Sequence, residues 1–354
     1  MKVSIREAME GARSLGAKTI LLQLPDGLKP DVFGLFKEIS SEFNVIVSSD
    51  PFYGACDIGT PEVYNRVDAI IQVGHSEMPN IRYPRPVFFV EARIGQEIDI
   101  PRESLLPLKE SGFRRIGLLC SIQYIDLMKK VATMLPEMGM EPVIGRQDAR
   151  MKYPGQVIGC NFSAAHSVAH EVDCFIVVST GKFHGIGVQL ATDKPVFILD
   201  MNTRRLVPMK DETDTFLRKR YARISRALSA RKICVVVDTK IGQFRIRLAK
   251  LILSQLHGLG IEGILCYAND IRPSDYENMR CDAVVFTGCP RVSIDDEEKF
   301  KMPILTPVEF QILFGFKKAG RYIMDEIVAV DDLASDWLSN QVGSTSFHDL
   351  TVDR

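Results

Sequence analysis

Three cysteines carry the chemistry this chain could support. Cys56, Cys160 and Cys289 fall one in each third of 354 residues, each just past an apolar run with glycine close by. Their settings are Tyr53-Gly54-Ala55-Cys56, Ile158-Gly159-Cys160-Asn161 and Thr287-Gly288-Cys289-Pro290. Thiolates suit zinc or iron–sulfur clusters, and a glycine beside a ligand lets backbone approach a bulky group. Three thiolates with one vacancy suit a 4Fe–4S cluster whose fourth iron is open to substrate. Zinc would need a fourth ligand or a water, and His166 and His170, four apart near Cys160, are the nearby candidates. Three unrelated loop thiols are the alternative. The other five cysteines, Cys120, Cys174, Cys234, Cys266 and Cys281, lie in or beside apolar runs and read as small buried hydrophobes. Eight cysteines in an apparently cytosolic chain argue for reduced thiols or metal ligation over a disulfide framework.

No local clip joins the three cysteines, so a shared site requires the thirds of the chain to pack around a common axis. The sequence repeats in the way this demands. Val67-Asp68-Ala69-Ile70-Ile71, Val172-Asp173-Cys174-Phe175-Ile176 and Cys281-Asp282-Ala283-Val284-Val285 are one word, an Asp opening an apolar β-rich run. A second word follows each time at Pro86-Val87, Pro195-Val196 and Pro303-Ile304. Each unit opens with a strand-like run, Thr19 to Leu22, Ile116 to Leu119 and Ile233 to Val237. Thr60, Ser163 and Ser274 are positioned to start helices ahead of the Asp words. Helices are expected after a capping box at Ser4 to Glu7 and over 30–43, 123–138 and 243–257. Short apolar strands alternating with helices predict parallel sheets covered on both faces. The expectation is a triplication into α/β domains over 1–105, 106–214 and 215–354. Cys56 and Cys160 then occupy equivalent loops, whereas Cys289 matches His75 and Thr180 in the other two units.

Net charge is −1, which leaves no nucleic-acid footprint, and 46% hydrophobic content supports ordinary cores. No apolar run reaches the roughly 20 residues of a membrane span, and the start has no signal-peptide core. A cytoplasmic protein is expected. Between Arg218 and Lys232 stand seven basic residues and no acidic one. With Leu217, Tyr221, Ile224 and Leu228 at helical spacing, this reads as an amphipathic helix with either a solvated basic face or a docking surface. The polar tail from Gly343 to Arg354 is expected to be loosely held.

Taken together, Tyr-Gly-Ala-Cys, Gly-Cys-Asn and Gly-Cys-Pro-Arg in successive units resemble archaeal diphthamide synthase, the 2-(3-amino-3-carboxypropyl)histidine synthase family. Gln23-Leu24-Pro25-Asp26-Gly27-Leu28 and Thr180-Gly181-Lys182-Phe183-His184 extend the likeness over essentially the whole chain. The resemblance implies three tandem homologous parallel-sheet domains in a pseudo-threefold arrangement around a central iron–sulfur site, in a homodimer. It further implies that Cys56, Cys160 and Cys289 bind three irons of a 4Fe–4S cluster whose fourth iron engages S-adenosylmethionine. The reduced cluster would cleave the bond from the sulfonium to the γ-carbon, releasing methylthioadenosine. The 3-amino-3-carboxypropyl group would pass to the imidazole carbon of one histidine on translation elongation factor 2. An electron donor is needed, and no CxxxCxxC motif is present. No side chain is required as a general base in the radical step.

Arg291, two residues past Cys289, is the candidate clamp for the substrate carboxylate, with a structural ion pair as the alternative. His75 and His184 are candidate ligand contacts from strand-end loops. Asp26 and Gly27 either face the ligand or start the next helix. Rival readings are a quinolinate-synthase-like 4Fe–4S dehydratase, a non-catalytic electron-passing subunit, and a nucleotide-binding protein with structural thiols.

Overall fold

The computed structural model describes residues 4–95, 97–316 and 322–327, so the polar tail lies outside the described residues. The chain forms two compact units: Met1–Phe216 with Lys240–Gly242, and Leu217–Thr239 with Gln243–Arg354.

The first unit holds two sheets. In the first sheet β1 (Thr19–Gln23), β2 (Asn44–Val47), β3 (Ala69–Val73) and β4 (Val87–Val90) run parallel in the order β2-β1-β3-β4. Helices α1 (Arg6–Ser14), α2 (Val32–Ile39) and α3 (Pro61–Tyr64) belong with it. The second sheet contains β5 (Arg115–Cys120), β6 (Glu141–Val143), β7 (Cys174–Ser179), β8 (Val196–Asp200) and β9 (Arg205–Pro208). Its order is β6-β5-β7-β8-β9, with only β9 antiparallel. Its helices are α4 (Leu106–Glu110), α5 (Ile125–Glu137), α6 (Ser163–His166) and α7 (Phe183–Thr192). Helix α8 (Lys210–Arg226) carries the chain into the second unit. There β10 (Lys232–Asp238), β11 (Glu262–Ala268), β12 (Ala283–Phe286) and β13 (Ile304–Leu305) run parallel in the order β11-β10-β12-β13. Helices α9 (Ile246–Gly258), α10 (Pro273–Asn278), α11 (Pro290–Asp295) and α12 (Pro307–Leu313) complete it.

The protein is therefore α/β with three parallel-dominated sheets that share one strand order. The central strands β3, β7 and β12 are buried along their whole length. That is why they read as continuous apolar runs and not as alternation. Burying a side chain such as Ile71 or Val285 stabilises by roughly 1.5–3 kcal/mol.

The repeated Asp has a structural task. Asp68 Oδ2 accepts from the backbone N–H groups of Lys18 and Thr19, Asp173 Oδ2 from Arg114 and Arg115, and Asp282 Oδ2 from Arg231 and Lys232. Each carboxylate thus fixes the start of the neighbouring strand. These bonds hold the Asp68 and Asp173 carboxyls below their ordinary range. The repeated proline ends its loop with a carbonyl that opens the next ladder: Pro86, Pro195 and Pro303 accept from Ile70, Phe175 and Val284.

Several local expectations are corrected. No capping box forms at Ser4 to Glu7; Ile5 is the N-cap and makes no side-chain bond. Thr60 stands at the N-cap of α3 without a capping bond, and the N-caps of α6 and α10 are Phe162 and Arg272 instead of serines. The Ser163 hydroxyl is spent elsewhere, donating to Asn161 Oδ1 and accepting from the Asp148 N–H. A full capping box does form at Thr306 and Glu309 on α12.

Of the basic stretch, Arg218, Lys219, Arg226, Arg231 and Lys232 are exposed, but Arg220 is not. Arg220 is 1% exposed and meets both Glu309 oxygens at 2.6 Å and Glu297 at 2.5 Å. Tyr322 donates to the same Glu309 at 2.7 Å. Arg223 also pairs with Glu297, and Arg226 donates to the Lys301 carbonyl. Leu228, assigned to the apolar face, is exposed. Ion pairing has put Arg220 inside, whereas the basic residues were expected to form one outward face.

Cys234 and Cys281 are buried in the core as expected, but not as free thiols. Cys234 and Cys281 are joined as a disulfide with Cα atoms 6.1 Å apart, within the ordinary span. They meet because Cys281 leads into β12, which pairs with β10. Cys120 and Cys174 do behave as buried hydrophobes: burial pushes both thiols up, Cys174 to about 12.

Candidate metal centre

The strands deliver the three cysteines to loops at their carboxyl ends, the positions where parallel α/β sheets bind ligands. Cys56 lies between β2 and α3, Cys160 between β6 and α6, and Cys289 directly after β12 as the N-cap of α11. His75 follows β3 and Thr180 follows β7, in the position Cys289 takes in its own sheet. The loop correspondence read from the repeat therefore has a topological basis.

Within the first unit the Cys56 loop is tightly fixed. Cys56 is buried with Ala55 and Met78, and Ile81, Phe89 and Ile158 pack against this cluster. Ile158 stands two residues before Cys160 and bridges to Asn161, so the two thiol loops share one apolar contact. The Tyr83 hydroxyl donates to the Ala55 carbonyl at 2.9 Å, and the Gly242 N–H donates to the Cys56 carbonyl at 2.9 Å. A Cβ on Gly242 would lie 2.4 Å from Cys56 Cβ and 2.5 Å from its Cα, so only glycine allows this approach. At Gly54 a Cβ would lie 3.1 Å from the Cys56 sulfur, so a side chain there would crowd the thiol.

The Cys160 loop is held by polar groups. Asn161 donates to Asp148 Oδ2 at 2.7 Å and accepts from the Ser163 N–H and hydroxyl. Asp148 Oδ1 accepts the Arg150 N–H, and the Arg150 side chain donates from Nη2 to the Gly242 carbonyl at 2.9 Å. Gln156, bridged to Cys120, donates to Ser76 Oγ at 2.8 Å.

In the second unit the Cys289 N–H donates to Gln243 Oε1 at 2.9 Å. Arg245, 4% exposed, donates to the carbonyls of Thr287 and Gly288 and pairs with Asp325 at 2.5 Å. These contacts hold the turn that presents Cys289.

No group of three His, Cys, Asp or Glu side chains gathers to hold a single metal ion among the described residues. His166 and His170, the histidines weighed for zinc, are exposed, and His170 lies against Glu171 at 3.4 Å. A cluster spreads its thiolates over separate irons, and soft sulfur donors suit it; Cys56 and Cys160 are buried and Cys289 half-buried.

Known proteins resemble this chain over most of its length. The sequence profile of the family described as "Putative diphthamide synthesis protein" matches residues 24–323. The chain belongs to the diphthamide synthesis family. A 2-(3-amino-3-carboxypropyl)histidine synthase of Pyrococcus horikoshii is 34% identical over 91% of this chain and 92% of its own length. The synthase of Methanocaldococcus jannaschii is 26% identical over 87% of each chain. The crystal structure of Dph2 from Pyrococcus horikoshii with a 4Fe-4S cluster superimposes with a TM-score of 0.84 at 31% identity, over 94% of this chain and 96% of that one.

For this member of the family, the other sequence-chosen residues are distributed unevenly. His75 is recessed, with Nδ1 buried and no partner among the described residues, and burial lowers its pKa to about 4. It is a neutral imidazole. His184 is the second residue of α7, with Nδ1 3.5 Å from Ser179 Oγ and its ring edge-on to Phe183. Arg291 is half-exposed and paired with Asp295 at 2.6 Å, the alternative set beside the clamp. Asp26 is exposed, pairs with Lys29 at 2.6 Å and makes no cap, because Pro25 is the N-cap. Gly27 is exposed with open space around it. Sequence reasoning missed Tyr83, Arg150, Gly242, Gln243 and Arg245. Only Gly242 left a trace, a glycine shortly after the β10 run; a buried arginine looks like a surface one in sequence.

Proposed function

We propose that this protein transfers the 3-amino-3-carboxypropyl group of S-adenosylmethionine to the imidazole carbon of a histidine on translation elongation factor 2. The relation that carries the reading is the 34% identity to a 2-(3-amino-3-carboxypropyl)histidine synthase over 91% of the chain. In this reading the segments 1–105, 106–214 and 215–354 each contribute one thiolate, from Cys56, Cys160 and Cys289, to a 4Fe–4S cluster. Supporting it are the burial of Cys56 and Cys160 and the apolar contact shared by their loops. When bound, the cluster supplies the electron that cleaves the sulfonium–γ-carbon bond, with methylthioadenosine released. A homodimer and an external electron donor belong to the same proposal. Among the described residues no helix is long and apolar enough to cross a membrane.

The chain's own residues bind, orient and exclude water. Tyr83 and Gly242 hold the Cys56 backbone, Asn161 and Asp148 hold the Cys160 loop, and Gln243 and Arg245 hold Cys289. Fixed loops keep ligand geometry constant while the group transfer takes place. Packing by Ala55, Met78, Ile81, Phe89 and Ile158 excludes water on the Cys56 side. His75, held neutral, offers a donor and an acceptor without charge.

The test is anaerobic. The protein is reconstituted with iron and sulfide, reduced with dithionite and given S-adenosylmethionine. Methylthioadenosine should form, and should vanish with Cys56→Ala, Cys160→Ala or Cys289→Ala. A clustered, reducible protein yielding none, or yielding 5′-deoxyadenosine, would overturn the reading.

A further inference from the structure

Among the described residues, Arg150 is a buried arginine with no carboxylate partner. Its residue is 1% exposed, yet Nε and Nη1 are buried and have no hydrogen-bond partner. Its one side-chain bond among the described residues runs from Nη2 to the Gly242 carbonyl. The nearest acid in sequence, Asp148, is turned away, with Oδ1 on the Arg150 backbone N–H and Oδ2 on Asn161. A buried guanidinium without a carboxylate is costly, and proteins normally pair it. Arg220 and Arg245, comparably buried, do have carboxylate partners.

Arg150 is linked to Cys56 through Gly242. Gly242, whose carbonyl it holds, donates its own N–H to the Cys56 carbonyl and lies in contact with the Cys56 Cα and Cβ. Burial raises the Tyr83 hydroxyl well above the ordinary phenol range; Cys56 and Glu77 add to that shift and Arg150 opposes it. Arg150 and Cys56 are thus both within electrostatic reach of one hydroxyl. Glu77 is itself exposed and is not paired with Arg150.

We propose that Arg150 is the fixed positive counter-charge of the anionic sulfur group carried on Cys56, its Nε and Nη1 serving the thiolate and cluster sulfides. This rests on the functional reading above and deepens it by naming a positioning residue that tunes the cluster. Reduction adds one electron and so one negative charge to the group. A buried cation nearby favours the reduced form and raises the potential.

The test uses the full chain reconstituted with iron and sulfide, comparing wild type, Arg150→Lys and Arg150→Gln. Arg150→Met replaces the Gln variant should that not fold. The readouts are the cluster midpoint potential, by anaerobic redox titration followed by electron paramagnetic resonance, and S-adenosylmethionine affinity by equilibrium dialysis. The charge-free variant should have a more negative midpoint, Arg150→Lys should stay close to wild type, and donor affinity should change less than twofold. An unmoved midpoint with a tenfold loss of donor affinity would mean that the charge serves the donor carboxylate, overturning the proposal. If neither readout moves, Arg150 is purely structural and the proposal is equally overturned. A wild type that takes up no cluster would instead refute the functional reading itself, and this inference with it.

Discussion

Replacing Gly242 with alanine introduces one methyl group at the point where the backbone is closest to Cys56. The new Cβ would lie 2.4 Å from Cys56 Cβ, 2.5 Å from its Cα and 2.7 Å from Ile81 Cδ1. Two of these atoms belong to a loop held by Tyr83, so they cannot swing aside as a long side chain would. Overpacking of this kind costs about 1–3 kcal/mol. Backing the segment off to relieve it would lengthen the Gly242 N–H bond to Cys56 and the Arg150 bond to the Gly242 carbonyl. The first is worth about 1 kcal/mol and the second, with a charged donor, about 1.5–3 kcal/mol. Relaxation would trade one loss against the other, so a total of about 2–4 kcal/mol is expected. At an m-value of about 2 kcal/mol/M in urea, the first-unit unfolding midpoint should fall by roughly 1–2 M. Iron retained after reconstitution should fall with it, because Cys56 moves. Gly34→Ala is the control: an added Cβ meets nothing within 4 Å, and on α2 alanine should stabilise by up to about 1 kcal/mol. A Gly242→Ala protein within about 0.5 kcal/mol of wild type, with normal iron content, would refute the close-approach reasoning.

Two further outcomes follow from the buried polar groups. Arg245→Met removes the cation paired with buried Asp325 and frees the carbonyls of Thr287 and Gly288. It should destabilise the second unit by about 3–5 kcal/mol and reduce iron retention, read by urea unfolding and iron assay; Arg291→Ala, on an exposed pair, should cost below about 1 kcal/mol. For His75 the folded pKa of about 4 lies below the unfolded value near 6.5, so the unfolded chain binds the proton first. Stability should therefore be full above about pH 6.5 and decline by roughly 3 kcal/mol as pH falls toward 4. That component should be absent in His75→Asn, and an NMR titration of His75 with a midpoint near 6.5 would contradict the assignment.

Much of the architecture was legible without coordinates because it is written in periodic, local signals. The Asp and Pro words marked the same two strands in each third, and the runs from Thr19, Ile116 and Ile233 became β1, β5 and β10. Cysteine positions relative to those words also placed Cys56 and Cys160 in equivalent loops and Cys289 opposite His75. Why the Asp recurs was not legible, since its two backbone donors come from a strand about 50 residues earlier.

What tertiary structure decided is the fate of charged and sulfur-bearing side chains. Arg150, Arg220 and Arg245 are buried, while Arg291 lies on the surface, and residue type alone does not separate them. A guanidinium is admitted to an interior only where carboxylates or carbonyls from distant segments arrive to meet it, and only the fold brings Glu309 to Arg220 or Gly242 to Arg150. The same holds for Cys234 and Cys281, which adjacent strands bring together. Sequence determined the repeated strands and the loops that carry the thiols, because those depend on neighbours within a few residues. The contacts that hold the thiols in place depend on residues remote in the chain, and packing alone selects them.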